Sequence, residues 1–399
     1  MTTRSEPAAA SRKRALVLGG GFAGVEAAAA LQESGRFDVT LVSDRDFLYL
    51  NPVSIWIPTR GIAPEQARVP LRDIASRRGF RLVVDRVESI SAAEHRVRLA
   101  GAELEYDDLI VALGGSKLKP SGVEHTLSIC GAPQAAIDIR DRLDALVARG
   151  HGSIAVGFGG NPKDRSAVRG GPAFELLFNI LDLLERKHLR DRFTLTFFAP
   201  MAEPGARMGR GALDLMAAMF DKKGIPSRTG TPIAGFDERG VAFVDGSRLD
   251  ADLVLFIPGV AGHPVLAASD LPLNDAGFVE IDDHGLVAGT SDVYAAGDVA
   301  AIEGPEWRAK QGHTAELMAR NAAANIIAAE AGRPERRGYR AHLSIVCLMD
   351  IGSGAALVYR GRKRNVVVPL PVIGHWMKRG WGTYARLTKL GRLRRLPGL

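Results

Sequence analysis

Ala15-Leu-Val-Leu-Gly-Gly-Gly-Phe-Ala-Gly24 decides the fold of this 399-residue chain. Ala15 to Leu18 reads as a short buried strand, and Val25 to Leu31 as the start of an alanine-rich helix. Gly19, Gly20, Gly21, Phe22, Ala23 and Gly24 join the two in a single turn. In such a turn Gly19 permits the tight reversal, Gly21 lets a pyrophosphate approach the backbone, and Gly24 allows helix and strand to pack closely. The helix N-terminus then presents its positive dipole end to the phosphates. Val39-Thr-Leu-Val42 closes a β-α-β unit. Asp44 follows Gly24 by 20 residues, a spacing suited to a ribose hydroxyl, with Ser43 as the neighbouring candidate. Strand, glycines, helix and acid together specify dinucleotide binding, without separating NAD from FAD.

Outward from this unit, strands are expected at 82–84, 96–99 and 109–113. A second alternating block begins with a helix at 135–148 and the strand Ile154-Ala-Val156, continued by a helix at 172–187 and strands at 195–198 and 253–257. A further strand at 293–296 precedes a long helix at 310–331, which stops at Gly332 with Pro334 just beyond. Two such blocks predict an α/β protein with two Rossmann-like dinucleotide-binding domains in tandem. The expected boundaries are 14–116 and 261–335 for an interrupted first domain, 117–260 for the second, and 336–399 for a C-terminal region carrying a membrane-attachment segment.

Composition bounds the rest. Two cysteines, Cys130 and Cys347, exclude a disulfide scaffold and fit a reducing, cytoplasmic compartment. No apolar h-region precedes the first strand, and no run of about 18 apolar residues occurs. Net charge is +7, yet no acidic residue follows Asp350, while 11 Lys and Arg lie between Arg360 and Arg395. No zinc-ligand spacing, helix-turn-helix or RNA-binding motif accompanies this excess, so nucleic acid is not the expected partner. An anionic membrane surface is. From Pro371 to Leu396, helical spacing puts Met377, Trp381, Tyr384 and Leu387 on one arc, opposite Arg379, Arg386 and Lys389. That pattern suits a bilayer headgroup boundary, hence peripheral attachment to the inner cell membrane. Gly380, Gly382 and Gly391 weaken this helix, which predicts that it forms on the membrane or on a partner. The oligomeric state is left open, a homo-oligomer included.

Tyr106-Asp-Asp-Leu-Ile-Val-Ala-Leu-Gly114-Gly115 resembles the strand ending in Ala-Thr-Gly of two-dinucleotide flavoproteins, with Leu113 in place of Thr. Thr290-Ser-Asp-Val-Tyr-Ala-Ala-Gly297-Asp298 resembles their late FAD motif, which implies FAD as the cofactor and Asp298 as a ribityl or phosphate ligand. Lys310-Gln-Gly312-His313 opens the long helix; the same resemblance aims its N-terminus at the flavin pyrimidine ring, with Lys310 supporting negative charge there. His313 is read as structural.

Along nearly its whole length the chain resembles sulfide:quinone oxidoreductases, in the group that includes flavocytochrome c sulfide dehydrogenase and type II NADH dehydrogenases. Leu127-Ser-Ile-Cys130, Gly171-Pro-Ala-Phe-Glu175 and Ile345-Val-Cys347 carry that likeness beside the nucleotide motifs. It implies oxidation of sulfide or a related sulfur anion, with electrons passed to membrane quinone. Cys347 would be the covalent handle, with Cys130 as the remaining thiol, and Glu175 would relay protons. The family's second redox cysteine corresponds to Arg169 here, so its usual persulfide bridge cannot form. Lys163, Arg165 and Arg169 in this loop suggest an anionic substrate. A low-pKa Cys347 thiolate near the basic loop would react readily at neutral pH, whereas a buried neutral thiol would not.

Gly157-Phe-Gly-Gly160 imitates a second nucleotide turn but runs into Asn161-Pro-Lys163, and the strand after it ends at Ala199-Pro200 without an acid for a ribose. NAD(P)H binding there is disfavoured, although Arg165 or Arg169 has the charge to hold a phosphate. An NAD(P)H:quinone oxidoreductase is the alternative enzyme, and a non-catalytic or electron-transfer flavoprotein that binds a partner through its basic tail is the third class.

Overall fold

A computed structural model describes residues 12–396. Its first sheet is five parallel strands in the order Val293–Ala295, Asp108–Val111, Lys13–Leu18, Phe37–Ser43, Arg81–Val84. Four strands thus precede residue 112, and the fifth arrives only after a second sheet has been built. That second sheet is also parallel, in the order Ser227–Thr229, Phe193–Ala199, Gly152–Phe158, Leu253–Ile257. The Rossmann-like α/β architecture expected from the alternating pattern is present.

Small side chains set the layer spacing of the first unit. The helix Phe22–Glu33 buries Ala27 and Ala28 completely, and its partner Gly312–Glu330 buries Ala319, Ala322 and Ala323. Alanine rows let the two helices approach closely on one face of the sheet. Helix Pro133–Arg149 follows local rules at both ends, with proline in its first turn and Gly150 at φ +83° closing it. In the second unit Phe158, Phe174 and Phe197 pack ring on ring between strand and helix, the last two stacked 4.9 Å apart.

Three antiparallel meanders complete the chain: Val87–Ser91 to Glu103–Glu105, Ile233–Asp237 to Arg248–Asp250, and a C-terminal sheet of Ile345–Asp350, Gly354–Arg360 and Asn365–Pro371. A helix, Ile373–Lys389, then lies against the protein itself. The glycine-weakened tail is therefore helical and docked without a membrane, which corrects the expectation of a helix formed only on binding. The assignment of Lys389 to a solvent face is corrected too, because Lys378 and Lys389 are both buried. Lys378 meets Glu175, and Lys389 meets Glu26 at 2.5 Å and Glu316 at 2.6 Å. Arg395 joins the same two glutamates, and Arg320 bonds Glu26 at 2.9 Å. Carboxylates far away in sequence hold the tail down.

Candidate active site

The carboxyl ends of the first sheet's strands open into one cleft of about 2650 Å³. A crevice at the strand ends, where the strand order reverses, is where α/β sheets bind ligands. Gly19, Gly20, Gly21, Phe22, Ala23, Ser43, Asp44, Gly114, Gly297, Asp298, Lys310 and Gly312 all line it, as do Cys130, Glu175 and Cys347. Of the candidate catalytic and cofactor-binding residues, Gly24 alone does not, being a packing position.

The three glycine roles separate cleanly in space. Gly19 stands at φ +112°, and a Cβ there would lie 2.3 Å from the Ala112 carbonyl oxygen. A Cβ on Gly24 would lie 1.8 Å from the Gly19 oxygen, whereas one on Gly21 would meet nothing within 4 Å. Open backbone at Gly21, directly before the helix that starts at Phe22, is the cradle a pyrophosphate needs. Gly24→Ala is therefore expected to cost about 3 kcal/mol of fold stability by overpacking. Gly21→Ala should melt like wild type once cofactor is stripped, yet lose flavin on desalting. Apoprotein melting curves and flavin retention separate the two outcomes.

Asp298 follows the strand Val293–Ala295 in a short 3-10 turn and is ion-paired with Arg169. Lys310 precedes its helix and is 6% exposed; its ammonium donates to the Ala300 carbonyl and sits 3.7 Å from the Phe278 ring centroid. Burial, partly opposed by Asp298 and Asp164, brings its pKa down to about 8. His313 bonds the Ser344 carbonyl at 3.0 Å, a structural contact.

Glu175 lies within the helix Gly171–Arg186 and is almost fully buried. Besides Lys378, it accepts from the Asp350 backbone N–H at 2.8 Å. Burial pushes its carboxyl above the usual range, with Lys378 pulling the other way. Behind it, Asn179 donates to Asp350 at 3.1 Å, and His375 Nδ1 lies 2.7 Å from the other Asp350 oxygen. Arg379 donates to His375 Nε2 at 2.9 Å. Because arginine only donates and carboxylate only accepts, Nε2 accepts from Arg379 and Nδ1 donates to Asp350. Sequence reading missed Lys378, Asp350 and His375; Lys378 and Asp350 each lie more than 170 residues from Glu175, and no local pattern marks them.

Cys347, on the strand Ile345–Asp350, is half-buried beside this pair. Burial first, then the Glu175 carboxylate, push its thiol up to about 12. Of the two environments, this is that of a buried neutral thiol rather than a low-pKa thiolate.

In the second domain the helix after Gly160 begins only at Gly171. The intervening segment is pinned: Asn161 donates to the Val260 carbonyl, and Asp164 accepts from Ser166. The Arg207 guanidinium donates to the carbonyls of Arg165, Ser166, Val168 and Arg308. A nucleotide turn instead runs straight into its helix, as the first domain's does.

Fold and cleft together define a flavin-type oxidoreductase with two dinucleotide-fold units. The profile of the pyridine nucleotide-disulphide oxidoreductase family matches residues 13–324, and the chain belongs to that family. FAD is the cofactor, and the glycine cradle, the strand-end acid and the late aspartate fit it. An NADH dehydrogenase-like protein of Mycobacterium tuberculosis is 26% identical over 379 residues, 89% of each chain. A type II NADH:quinone oxidoreductase of Staphylococcus saprophyticus is 22% identical over 378 residues, covering 88% of this chain and 91% of the relative. Among solved structures, the sulfide:quinone oxidoreductase of Aquifex aeolicus aligns with a TM-score of 0.86 at 22% identity, over 95% of this chain and 92% of that one. NDH2 of Plasmodium falciparum in complex with NADH aligns at 0.73 and 11% identity, over 96% of each. The resemblance read from the motifs is borne out at the level of fold and family.

Proposed function

We propose that the protein is an FAD-dependent reductase of membrane quinone that draws its electrons from hydrosulfide or a related small sulfur anion. The observation that carries this reading is the pinned segment 161–170, which stands where an NADH pyrophosphate would need a helix N-terminus. Both thiols, by contrast, open on the cleft. FAD, when bound, takes an electron pair from a donor and passes it to an acceptor.

The turn Gly19–Gly20–Gly21–Phe22–Ala23 would hold its pyrophosphate, Asp44 and Ser43 a ribose, and Gly114, Gly297, Asp298 and Gly312 its flavin half. Lys310 adds a buried positive charge at the cleft. Glu175, bonded to Lys378, is placed to hold a proton for the acceptor, since quinone reduction takes up two and burial raises this carboxyl above its usual range. Cys130 and Cys347 are the only thiols able to meet a sulfur substrate. Quinone is the acceptor named for the staphylococcal and Aquifex proteins, which supports it here.

A second reading is an NADH:quinone oxidoreductase, favoured by the mycobacterial relative and by Arg169 in the place of a redox cysteine. Steady-state quinone reduction with sulfide and with NADH as alternative donors tests the two. Faster turnover with sulfide is expected; turnover with NADH alone would install the second reading.

No helix among the described residues is long and apolar enough to cross a membrane. Attachment is peripheral in this reading, at the cytoplasmic face of the cell membrane, through a surface that differs from the expected arc. Trp376 is 66% exposed, Val372 65% and Ile373 58%, and Val366, Val368 and Met377 adjoin them in sequence and are exposed too. Val372 stands at φ +59°, a backbone conformation rare for a β-branched residue. Trp381 and Tyr384 are half-buried, and of the basic residues Arg362, Lys363, Arg364, Arg386, Arg392 and Arg394 are exposed. Ile373→Ser with Trp376→Ser is expected to weaken liposome cosedimentation about tenfold or more. Salt should weaken the remaining attraction to anionic lipid. Unchanged cosedimentation of the double variant would remove this face from the account.

A further inference from the structure

The two thiols sit in opposite electrostatic surroundings within one cleft. Cys347 adjoins the Glu175 carboxylate, and the nearest cation, Lys378, is already bonded to that carboxylate. Cys130 faces two cations instead. The Arg169 guanidinium and the Lys117 ammonium both act electrostatically on its sulfur, and all three residues line the same cleft. Lys117 Nζ lies against the next residue, 3.1 Å from where a Cβ on Gly131 would be.

Arg169 is not a loose surface arginine. Its Nη2 is fixed by Asp298, which leaves the other N–H groups of a rigid five-donor fork for other acceptors. Lys117 has no carboxylate partner among the described residues. One acid thus balances one of two cations, and the cluster keeps one uncompensated positive charge. Burial raises the Cys130 thiol, while Arg169 and Lys117 oppose that rise. At Cys347 the adjacent carboxylate reinforces it.

We infer that Arg169, Lys117 and Cys130 form an anion-binding thiol site, and that it, rather than Cys347, seats a small anionic sulfur compound. The charge count favours a monoanion or a dianion of compact shape over neutral hydrogen sulfide or a neutral thiol. Arg169 then fills the position of the missing cysteine with a binding group rather than a second nucleophile. The inference rests on the sulfur-donor reading for its substrate class.

Iodoacetate and iodoacetamide are alkylators of nearly equal size that differ in charge, and they report such a site directly. Resting holoprotein is labelled with each, and the rates at Cys130 and Cys347 are read by peptide mass spectrometry. The iodoacetate-to-iodoacetamide ratio is expected to be roughly tenfold higher at Cys130 than at Cys347. Millimolar thiosulfate should protect Cys130 selectively at constant ionic strength set with chloride. Arg169→Gln should lower the ratio and Arg169→Lys should keep most of it. Lys117→Met, at an exposed position, serves if the Arg169 variants fold poorly. Equal ratios at the two thiols, no thiosulfate protection, or a ratio indifferent to both Arg169→Gln and Lys117→Met would overturn the site. Labelling requires no turnover, so this result stands apart from the donor assay.

Discussion

Replacing Lys378 with methionine should destabilise the protein by about 3–5 kcal/mol, because it leaves the Glu175 carboxylate buried without its cation. Both side chains are only 6% exposed, so water cannot take over the lost contact. Exchanging both partners, Glu175→Gln with Lys378→Met, should recover most of that loss, since removing a whole buried pair is often near neutral. Recovery of function is a different matter. Glu175→Gln keeps the shape and the acceptor for the Asp350 N–H but cannot carry a proton, and a lost acid–base group costs typically 10²–10⁴-fold. Reoxidation of the flavin by quinone should slow by that order, while its reduction by the donor is unchanged. Thermal melts and stopped-flow absorbance measure the two halves. Equal slowing of both half-reactions would place Glu175 on the donor side instead.

Acid should loosen the tail through Glu26. Burial raises this carboxyl, but Lys389, Arg320 and Arg395 outweigh burial and bring it down to about 2 from an ordinary 4.5. A carboxyl depressed in the folded state contributes stability that is complete above its unfolded value and is lost as pH falls through the folded one. The window is therefore about pH 5 down to pH 2, and the contribution is about 3 kcal/mol. Lys389→Met should lower stability at pH 7 and flatten this acid limb, because less of the depression remains to be lost. Urea unfolding between pH 7 and 3 checks the slope. A variant whose pH dependence matches wild type would show that Glu26 gains its charge stabilisation elsewhere. The same network explains why cutting the chain before the C-terminal helix is a poor test of membrane binding. Glu26, Glu175 and Glu316 would lose Lys378, Lys389 and Arg395 at one stroke.

What could be read from the chain alone follows from how local each constraint is. The nucleotide turn was legible because its demands are met within ten residues: a left-handed Gly19, an open Gly21 and a Gly24 pressed on the Gly19 carbonyl. The strand Leu253–Ile257 and the helix Gly171–Arg186 were legible from continuous apolar runs and a proline in the first turn. The first two meanders were largely not, since strands of three to five residues carry too few alternations to stand out. Pairings across the fold were beyond reach as well. Nothing near Arg169 marks Asp298 as its partner 129 residues on, and nothing near Lys389 marks Glu26. Lys389 was misplaced for a physical reason: helical periodicity ranks a lysine as solvent-facing, but a long apolar stem can be buried where carboxylates meet its end.

The identity of the electron donor is measured most directly by anaerobic mixing of the purified yellow holoprotein with sulfide and, separately, with NADH. Absorbance near the flavin maximum is followed in both. Rapid loss of colour with sulfide and little change with NADH is the result predicted here. Rapid loss with NADH and none with sulfide would contradict it, and would make the protein an NADH dehydrogenase despite the pinned loop in its second domain.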